Sequence, residues 1–450
     1  MKTEIRKIVI SSVSALVVLS GCAPCAGQQP AYCLTLQDAI QKALHANLNV
    51  LAAGTRVGEA EGVRERSMSA AFLPRVNTEV YANVQNRDLR AFGISVPGIP
   101  FPNVVGPFSN YDFRIYAQQN VIDLSSYRAL KASEHSLDAA KMDEQDARDL
   151  IVRAVAGIYL NAQSAEARVE AAQSRVTDSN TLFELAKDRH NAGAATGVDV
   201  LRAQVQLAND KQTLLEARNE NQQAILLLAR NLGMNPATPI ELAEPLRFQS
   251  LNLSQPENLL PTALAARADY LSLDRQRQTL VEQQRANRAR YYPKVSINGN
   301  IGELGRSIGG VDTTGLIQGQ IDFTIFDHDR DGEAQQLASR IVRIDDQIAD
   351  LRRGVDEDIR EALLNLDSAA QQVSVAADGQ DLAQRELQMA KDRFAAGTTN
   401  NVEVVTAQDE LSRAQQNYIL AVSTHVDAKF ALARALGDTE KNIVQFSVNP

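Results

Sequence analysis

The side chains that could do chemistry in this chain are few and scattered. Its histidines, His45, His135, His190, His328 and His425, stand singly, and no G-x-S-x-G, Walker loop or H-E-x-x-H brings a nucleophile, a phosphate cradle or a zinc pair together. That spacing argues against an enzyme, and no cofactor or metal is expected. Asp327-His328-Asp329-Arg330-Asp331-Gly332 begins like a calcium loop, but position twelve is Ala338, where a bidentate Glu is needed. Helix N-capping and favourable charge near the dipole explain that stretch more simply. The acids that recur in a pattern are Asp199 and Glu403. Each lies three residues beyond a capping side chain, Thr196 or Asn400, so both tetrapeptides read as capping boxes. Local capping and an additional role both remain open for the two carboxylates.

They recur because the chain is duplicated. Residues 186–233 align with 390–437 at a constant offset of 204, without a gap, and 19 of the 48 positions are identical. Ala186-Lys187-Asp188-Arg189 returns as Ala390-Lys391-Asp392-Arg393, Gly193 as Gly397, and Leu232-Gly233 as Leu436-Gly437. The same offset pairs Asp123 with Asp327. Further upstream Phe72-Leu73-Pro74-Arg75-Val76 matches Tyr291-Tyr292-Pro293-Lys294-Val295 at an offset of 219, which implies a longer loop in the first copy.

Each copy reads as helix, strand, loop, strand, very long helix, tight turn, helix. Val76, Thr78, Val80, Ala82 and Val84 alternate with Asn77, Glu79, Tyr81, Asn83 and Gln85, and three further segments alternate likewise. Strands are therefore expected at about 76–87, 112–122, 294–302 and 316–326. Alternation alone fits a half-buried soluble hairpin, but strands of about ten residues also span a bilayer. Loops 88–111, with four prolines, and 303–315, with repeated Gly, suit the longer extracellular loops of an outer-membrane barrel. Four strands cannot enclose a polar lumen, and an open edge in lipid leaves backbone groups unsatisfied. Closure must come from other copies.

From about Ser126 to His190, and again from about Asp329 to Phe394, helix-breaking residues are nearly absent. An unbroken helix of some 65 residues would extend about 98 Å, too long for a compact domain. Shorter helices at about 38–70 and 198–233 sum to nearly the same length, so two of them stacked end to end would flank each long one. Gly193 and Gly397 fall where a left-handed residue would end each long helix. Residues 234–256 and 438–450 lie outside the repeat and read as an equatorial linker and a C-terminal tail, forming a collar midway along a tube.

Composition agrees with elongated helices: 22% charged, 44% hydrophobic and only 5% aromatic residues, with no Trp. The net charge of −9 makes the chain a poor nucleic-acid binder. At the N-terminus Lys2, Arg6 and Lys7 precede an apolar run from Ile8 to Leu19, which reads as a secretory leader over residues 1–21. Leu19-Ser20-Gly21-Cys22 resembles a bacterial lipobox, which would make Cys22 the lipidated N-terminus of a tail spanning 22–36; cleavage near Ala26 without lipid is the alternative. Ala23 after the cysteine favours outer-membrane sorting. Cys25 and Cys33 could pair in an oxidising periplasm.

Taken together, the leader, the two copies over 37–233 and 257–437 and the duplicated tips resemble the TolC-like outer membrane factors. The most specific parts are Arg189-x-x-x-Gly193 with Thr196-x-x-Asp199, and Arg393-x-x-x-Gly397 with Asn400 and Val402-Glu403. The resemblance implies a mainly α protein with a membrane β-barrel portion: a homotrimer whose twelve strands close one barrel and whose twelve helices continue it as a periplasmic tunnel. It further implies a periplasmic adaptor contacting the tips at Arg189, Gly193, Thr196, Arg393, Gly397 and Asn400, an inner-membrane pump of RND or ABC type, and outer membrane lipid around the barrel. Glu403, with Asp199 as its first-copy counterpart, would form an anionic, cation-favouring ring at the periplasmic entrance. Phe394, Thr399 and Thr406 depart from the family's gate pattern. The expected function is a passive exit duct for efflux or type I secretion, against a non-conducting trimeric stalk as the alternative.

Overall fold

The computed structural model describes residues 32–89, 91, 93, 102–251 and 259–448. Cys22 and Cys25 lie outside them, and with them the lipidation and the Cys25–Cys33 pairing; Cys33 is exposed and has no disulfide partner among the described residues. In chain order the elements are β1 (Tyr32–Leu34), α1 (Leu36–Ala46), α2 (Leu48–Phe72), β2 (Arg75–Asp88), β3 (Val104–Ile122), α3 (Leu124–Asn191), α4 (Gly197–Asn231), β4 (Ile240–Leu242), α5 (Leu259–Ala266), α6 (Ala268–Ala289), β5 (Lys294–Ser307), β6 (Gly310–Asp322), α7 (Asp329–Ala395), α8 (Asn401–Leu436) and α9 (Thr439–Val448). No described helix is long and apolar enough to cross a membrane.

Four strands make one antiparallel sheet in the order β2-β3-β5-β6. Its register puts Val80 opposite Phe113, Ile115 opposite Ile301, and Gly299 opposite Ile317, so the apolar positions of all four strands share one face. That face has no cover: Val84 is 70% exposed and Ile317 85%. The opposite face carries a polar network in which the Tyr81 hydroxyl and the Arg114 guanidinium both donate to Asp112, each at 2.8 Å.

The strands are longer, and the loops shorter, than the sequence suggested. β3 begins at Val104 because Pro107, which has no amide to give a ladder, sits where the register slips between Gln85 and Arg87. The expected loop 303–315 is a hairpin closed by Ser307 opposite Gly310, leaving Ile308 and Gly309 as its turn. Its glycines serve close strand approach: a Cβ on Gly305 would fall 2.1 Å from the Gly310 carbonyl oxygen. β6 ends at Asp322, short of the expected 326, since the next position of β5 would be Pro293.

Two helices of 68 and 67 residues, α3 and α7, run from the sheet to the far end of the molecule. Against α3 pack α2 and α6 on the sheet side and α4 and α8 on the distal side, while α7 packs on α6 and α8. The expected single helix at 38–70 is two, because Asn47 takes an extended conformation, ends α1 and caps α2 by accepting from the Asn49 amide at 2.9 Å. Arg267 breaks α5 from α6 with the same extended backbone but without a side-chain cap. These breaks meet the ends of the distal helices. A Cβ on Gly233 would lie 2.7 Å from the Ala46 methyl, and one on Gly437 2.9 Å from the backbone of Ala266 and Arg267. Thus α4 abuts the α1/α2 joint and α8 abuts the α5/α6 joint, one pair per copy.

Two segments assigned to tails are structured. Residues 32–34 form β1, which pairs in parallel with β4 of the linker, and the Tyr159 hydroxyl of α3 donates to the buried Leu34 carbonyl at 3.0 Å. Thr439 and Ile443 of α9 are fully buried, so the last helix is part of the mid-length packing. This belt holds the largest apolar cluster, in which Leu36, Ile40, Val152, Tyr159, Leu228 and Phe430 meet. Each such side chain withdrawn from water contributes about 2 kcal/mol.

Candidate functional site

The tips sit at the turns α3–α4 and α7–α8, and their backbone is dictated by the repeated residues. Gly193 and Gly397 take φ of 74° and 79°. At the first tip the Ala194 amide donates to the Arg189 carbonyl at 2.8 Å and the Gly193 amide to His190 at 2.9 Å; at the second, Thr398 donates to Arg393 at 3.0 Å and Gly397 to Phe394 at 3.0 Å. Both are Schellman caps.

The helices that leave the turns differ. At the first tip the Asp199 amide donates to the Thr196 hydroxyl at 3.3 Å, and the Thr196 amide and hydroxyl donate to the Asp199 carboxylate at 3.1 and 2.7 Å. This is a complete capping box. The Thr196 hydroxyl bond, joined by the Thr196 amide and the Arg202 and Arg189 charges, holds the Asp199 carboxyl below the usual carboxylate range despite partial burial. The second tip corrects the expectation of two boxes. Asn400 accepts from Val402 at 3.1 Å, one residue earlier. The extra methylene of Glu403 carries its carboxylate past the cap amide, to Arg393 at 2.6 Å and to the Thr399 hydroxyl. Glu403 therefore ties the start of α8 to the end of α7.

The two tips are joined to each other. Asn401, fully buried, donates from Nδ2 to the Asp199 carbonyl at 3.0 Å. The Arg189 guanidinium lies over the Phe394 ring, 4.7 Å from its centroid, and a Cβ on Gly397 would come within 3.1 Å of it. Beneath them Leu182, Ala186, Ala203, Leu387, Val404 and Leu411 form a continuous apolar core. Of the residues singled out from the sequence, Arg189, Gly397 and Phe394 converge, as do Arg393, Thr399 and Glu403, whereas Gly193 faces open space. Asn401 was missed, although its replacement of the repeat's glycine (Gly197 in the first copy) was a usable signal. The Asp327 carboxylate accepts from Arg290 at 2.6 Å, so a cation already occupies the calcium-like stretch, and no described group of side chains could hold a metal.

Further along, Arg175 of α3 reaches Asp210 of α4 at 2.7 Å and Asp409 of α8 at 2.7 Å. Beside the tip, Val198, Leu201 and Val205 of α4 and Val402 and Val405 of α8 line an apolar groove. On the outer side of α7, Leu364, Val375, Leu382 and Met389 are exposed. Among the described residues, the outer edges of β2 and β6 have no strand partner.

A duplicated chain with an uncovered amphipathic sheet at one end and paired capped tips at the other has the build of a membrane channel chain. It belongs to the outer membrane efflux protein family, whose profile matches residues 39–234 and 259–438. Relatives include the probable efflux pump outer membrane protein SepC of Pseudomonas putida strain F1, 24% identical over 91% of this chain and 84% of that one. Another is the pyoverdine export outer membrane protein OpmQ of Pseudomonas aeruginosa, 22% identical over 89% and 85%. Among solved structures, the VceC outer membrane protein of Vibrio cholerae superposes with a TM-score of 0.72 at 19% identity, covering 89% of this chain and 96% of that one. The CusC channel gives 0.74 at 16%, covering 89% and 92%. The fold is thus TolC-like, and the protein is an outer membrane efflux channel, a transport duct and not an enzyme.

Proposed function

We propose that three copies close the sheet into one twelve-stranded barrel in the outer membrane and that their helices continue it through the periplasm as a passive exit duct. The observation that carries this is the uncovered sheet, one face apolar and both edges unpaired, a surface neither water nor a lone chain in lipid can satisfy. Pairing β6 of one copy with β2 of the next satisfies the edges, points the apolar face to lipid and leaves the Tyr81–Asp112–Arg114 network in a wet lumen. The same rotation brings the exposed stripe of α7 against α4 of the neighbour, whose Leu201, Val205 and Leu215 are likewise uncovered.

In this reading the tips meet a periplasmic adaptor through Arg189, Gly193, Thr196, Arg393, Gly397 and Asn400, and the adaptor delivers cargo from an inner-membrane pump of RND or ABC type. Glu403 and Asp199 supply negative charge at the entrance, and Cys22 anchors the chain through lipid. The duct has no energy source of its own; the pump loads it and the hydrated lumen conducts. Purified protein in planar bilayers should give cation-preferring currents whose selectivity falls in Glu403→Gln. Native mass spectrometry should give a trimer that loses its acyl mass in Cys22→Ser. A monodisperse monomer without conductance would refute the duct.

A further inference from the structure

The two mid-length joints are equivalent in the repeat but differ in chemistry. The first is packed by Leu44, Val50, Leu228 and Leu232, and its break residue is the neutral Asn47. At the second, the break residue Arg267 is 5% exposed and grips Asp269 of α6 at 2.7 Å and Asp358 of α7 at 2.8 Å. Arg434, in the last turn of α8, serves three carboxylates: Asp146 at 2.5 Å, Asp269 at 3.8 Å and Asp149 at 4.0 Å. Around the rim Arg148 meets Glu440 of α9 and Lys441 meets Asp438 of the α8–α9 turn. Six carboxylates therefore face four cations where α3, α6, α7, α8 and α9 converge.

The surplus falls on Asp149. It is 1% exposed, and Oδ1 accepts from Gln145 at 3.2 Å, but Oδ2 has no hydrogen-bond partner. The facing Arg434 Nη1 has none either. A buried carboxylate with half its oxygens unsatisfied and a shared counter-ion is better accommodated neutral.

We propose that the second joint is an acid-tightened clasp: Asp149 takes up a proton in mildly acidic surroundings, and the end of α8 with the start of α9 is then held more firmly against α3. Desolvation, opposed by Arg434, pushes the Asp149 carboxyl up to about 6, and desolvation pushes Asp146 up as well. Asp269, held by Arg267 and Arg434, moves down and stays charged. Asp149 thus binds its proton more tightly when the joint is closed than when it is open. The extra closure is fully present below about pH 3.8 and is lost progressively as pH rises from there to about 6, by at most roughly 160-fold in the opening equilibrium for a rise from 3.8 to about 6.

Hydrogen exchange on the full-length protein in detergent, from pH 4 to pH 8 and corrected for intrinsic rates, tests this. Between pH 4 and about pH 6.5 amides of 430–443 should lose protection by about 10- to 100-fold and then level off, while amides of 226–235 at the apolar joint should not change. In Asp149→Asn, protection at pH 8 should approach the wild-type value at pH 4. Parallel pH profiles at the two joints, or a wild-type loss of protection that sets in only above about pH 6.5, would overturn the clasp even if the variant fails to assemble. The clasp lies within one chain, so the outcome does not turn on whether three copies form a duct.

Discussion

Among the glycines at the helix ends, replacing Gly437 with Ala should be the most damaging, and the structure gives the reason in two parts. Its backbone, φ 79° and ψ 178°, lies in a region essentially reserved for glycine, which costs a side-chain-bearing residue about 1–3 kcal/mol. A Cβ there would also stand 2.9 Å from the carbonyl carbon of Ala266 and from the amide nitrogen of Arg267, backbone atoms that cannot swing aside. Overpacking of that kind costs about 1–3 kcal/mol more. At Gly193, by contrast, φ is 74° and nothing lies within 4 Å of the added carbon, so only a conformational cost of about 1 kcal/mol applies. Gly233 falls between, since its added carbon meets only the Ala46 methyl, at 2.7 Å. Thermal unfolding of the three alanine variants in detergent should give the order Gly437 worst, Gly233 intermediate and Gly193 mildest, with about 2–6 kcal/mol at the extreme. Equal losses at Gly437 and Gly193 would show that α8 does not abut the α5/α6 joint as described.

Tyr159→Phe removes the hydroxyl that holds the Leu34 carbonyl and should cost about 1 kcal/mol in chemical denaturation, with residues 32–34 becoming more sensitive to protease. Arg175→Met strips the counter-ion from Asp210, which is 1% exposed, and should cost about 3–5 kcal/mol; adding Asp210→Asn should recover much of it. Thr196→Ala should cost about 1 kcal/mol and loosen the first tip. Because the Asp199 carboxyl is held below its ordinary range, the tip stabilisation it supplies is present at neutral pH and is lost as pH falls through its folded value. Exchange of the α4 first-turn amides should therefore quicken in strong acid, and less so in Thr196→Ala.

Much of this architecture was legible because duplication turns weak local signals into a paired one. Alternation in Val76–Gln85 and its partners located the strands, and the near absence of breakers located α3 and α7 to within about two residues. What could not be read was decided by contacts between distant segments. Asn47 and Arg267 look unremarkable in helical sequence; they break helices because the ends of α4 and α8 press on them. Residues 32–34 carry too short a pattern to signal a strand without β4 to receive them. At the tips, Thr-x-x-Asp and Asn-x-x-Glu fit one capping template, and only the longer reach of Glu403 towards Arg393 separates them.

The divergence between copies follows from their unequal surroundings. α8 is enclosed by α3 and α7, whereas α4 packs chiefly on α3 and leaves its far side open. A helix held on two sides can carry buried polar groups that reach its neighbours, which is where Asn401 meets the Asp199 carbonyl and Arg434 collects carboxylates from α3 and α6. A helix held on one side in a lone chain must keep an apolar stripe for whatever covers the other, which is where Leu201, Val205 and Leu215 lie. In the proposed ring that cover is the neighbour's α7, so the first copy's distal helix carries the contact between chains and the second copy's carries the contacts within one. Charge placed on α4 at Leu201 or Leu215 should then weaken assembly while sparing the fold of the single chain. Charge placed on the buried face of α8, at Leu432, should unfold the chain before assembly is reached.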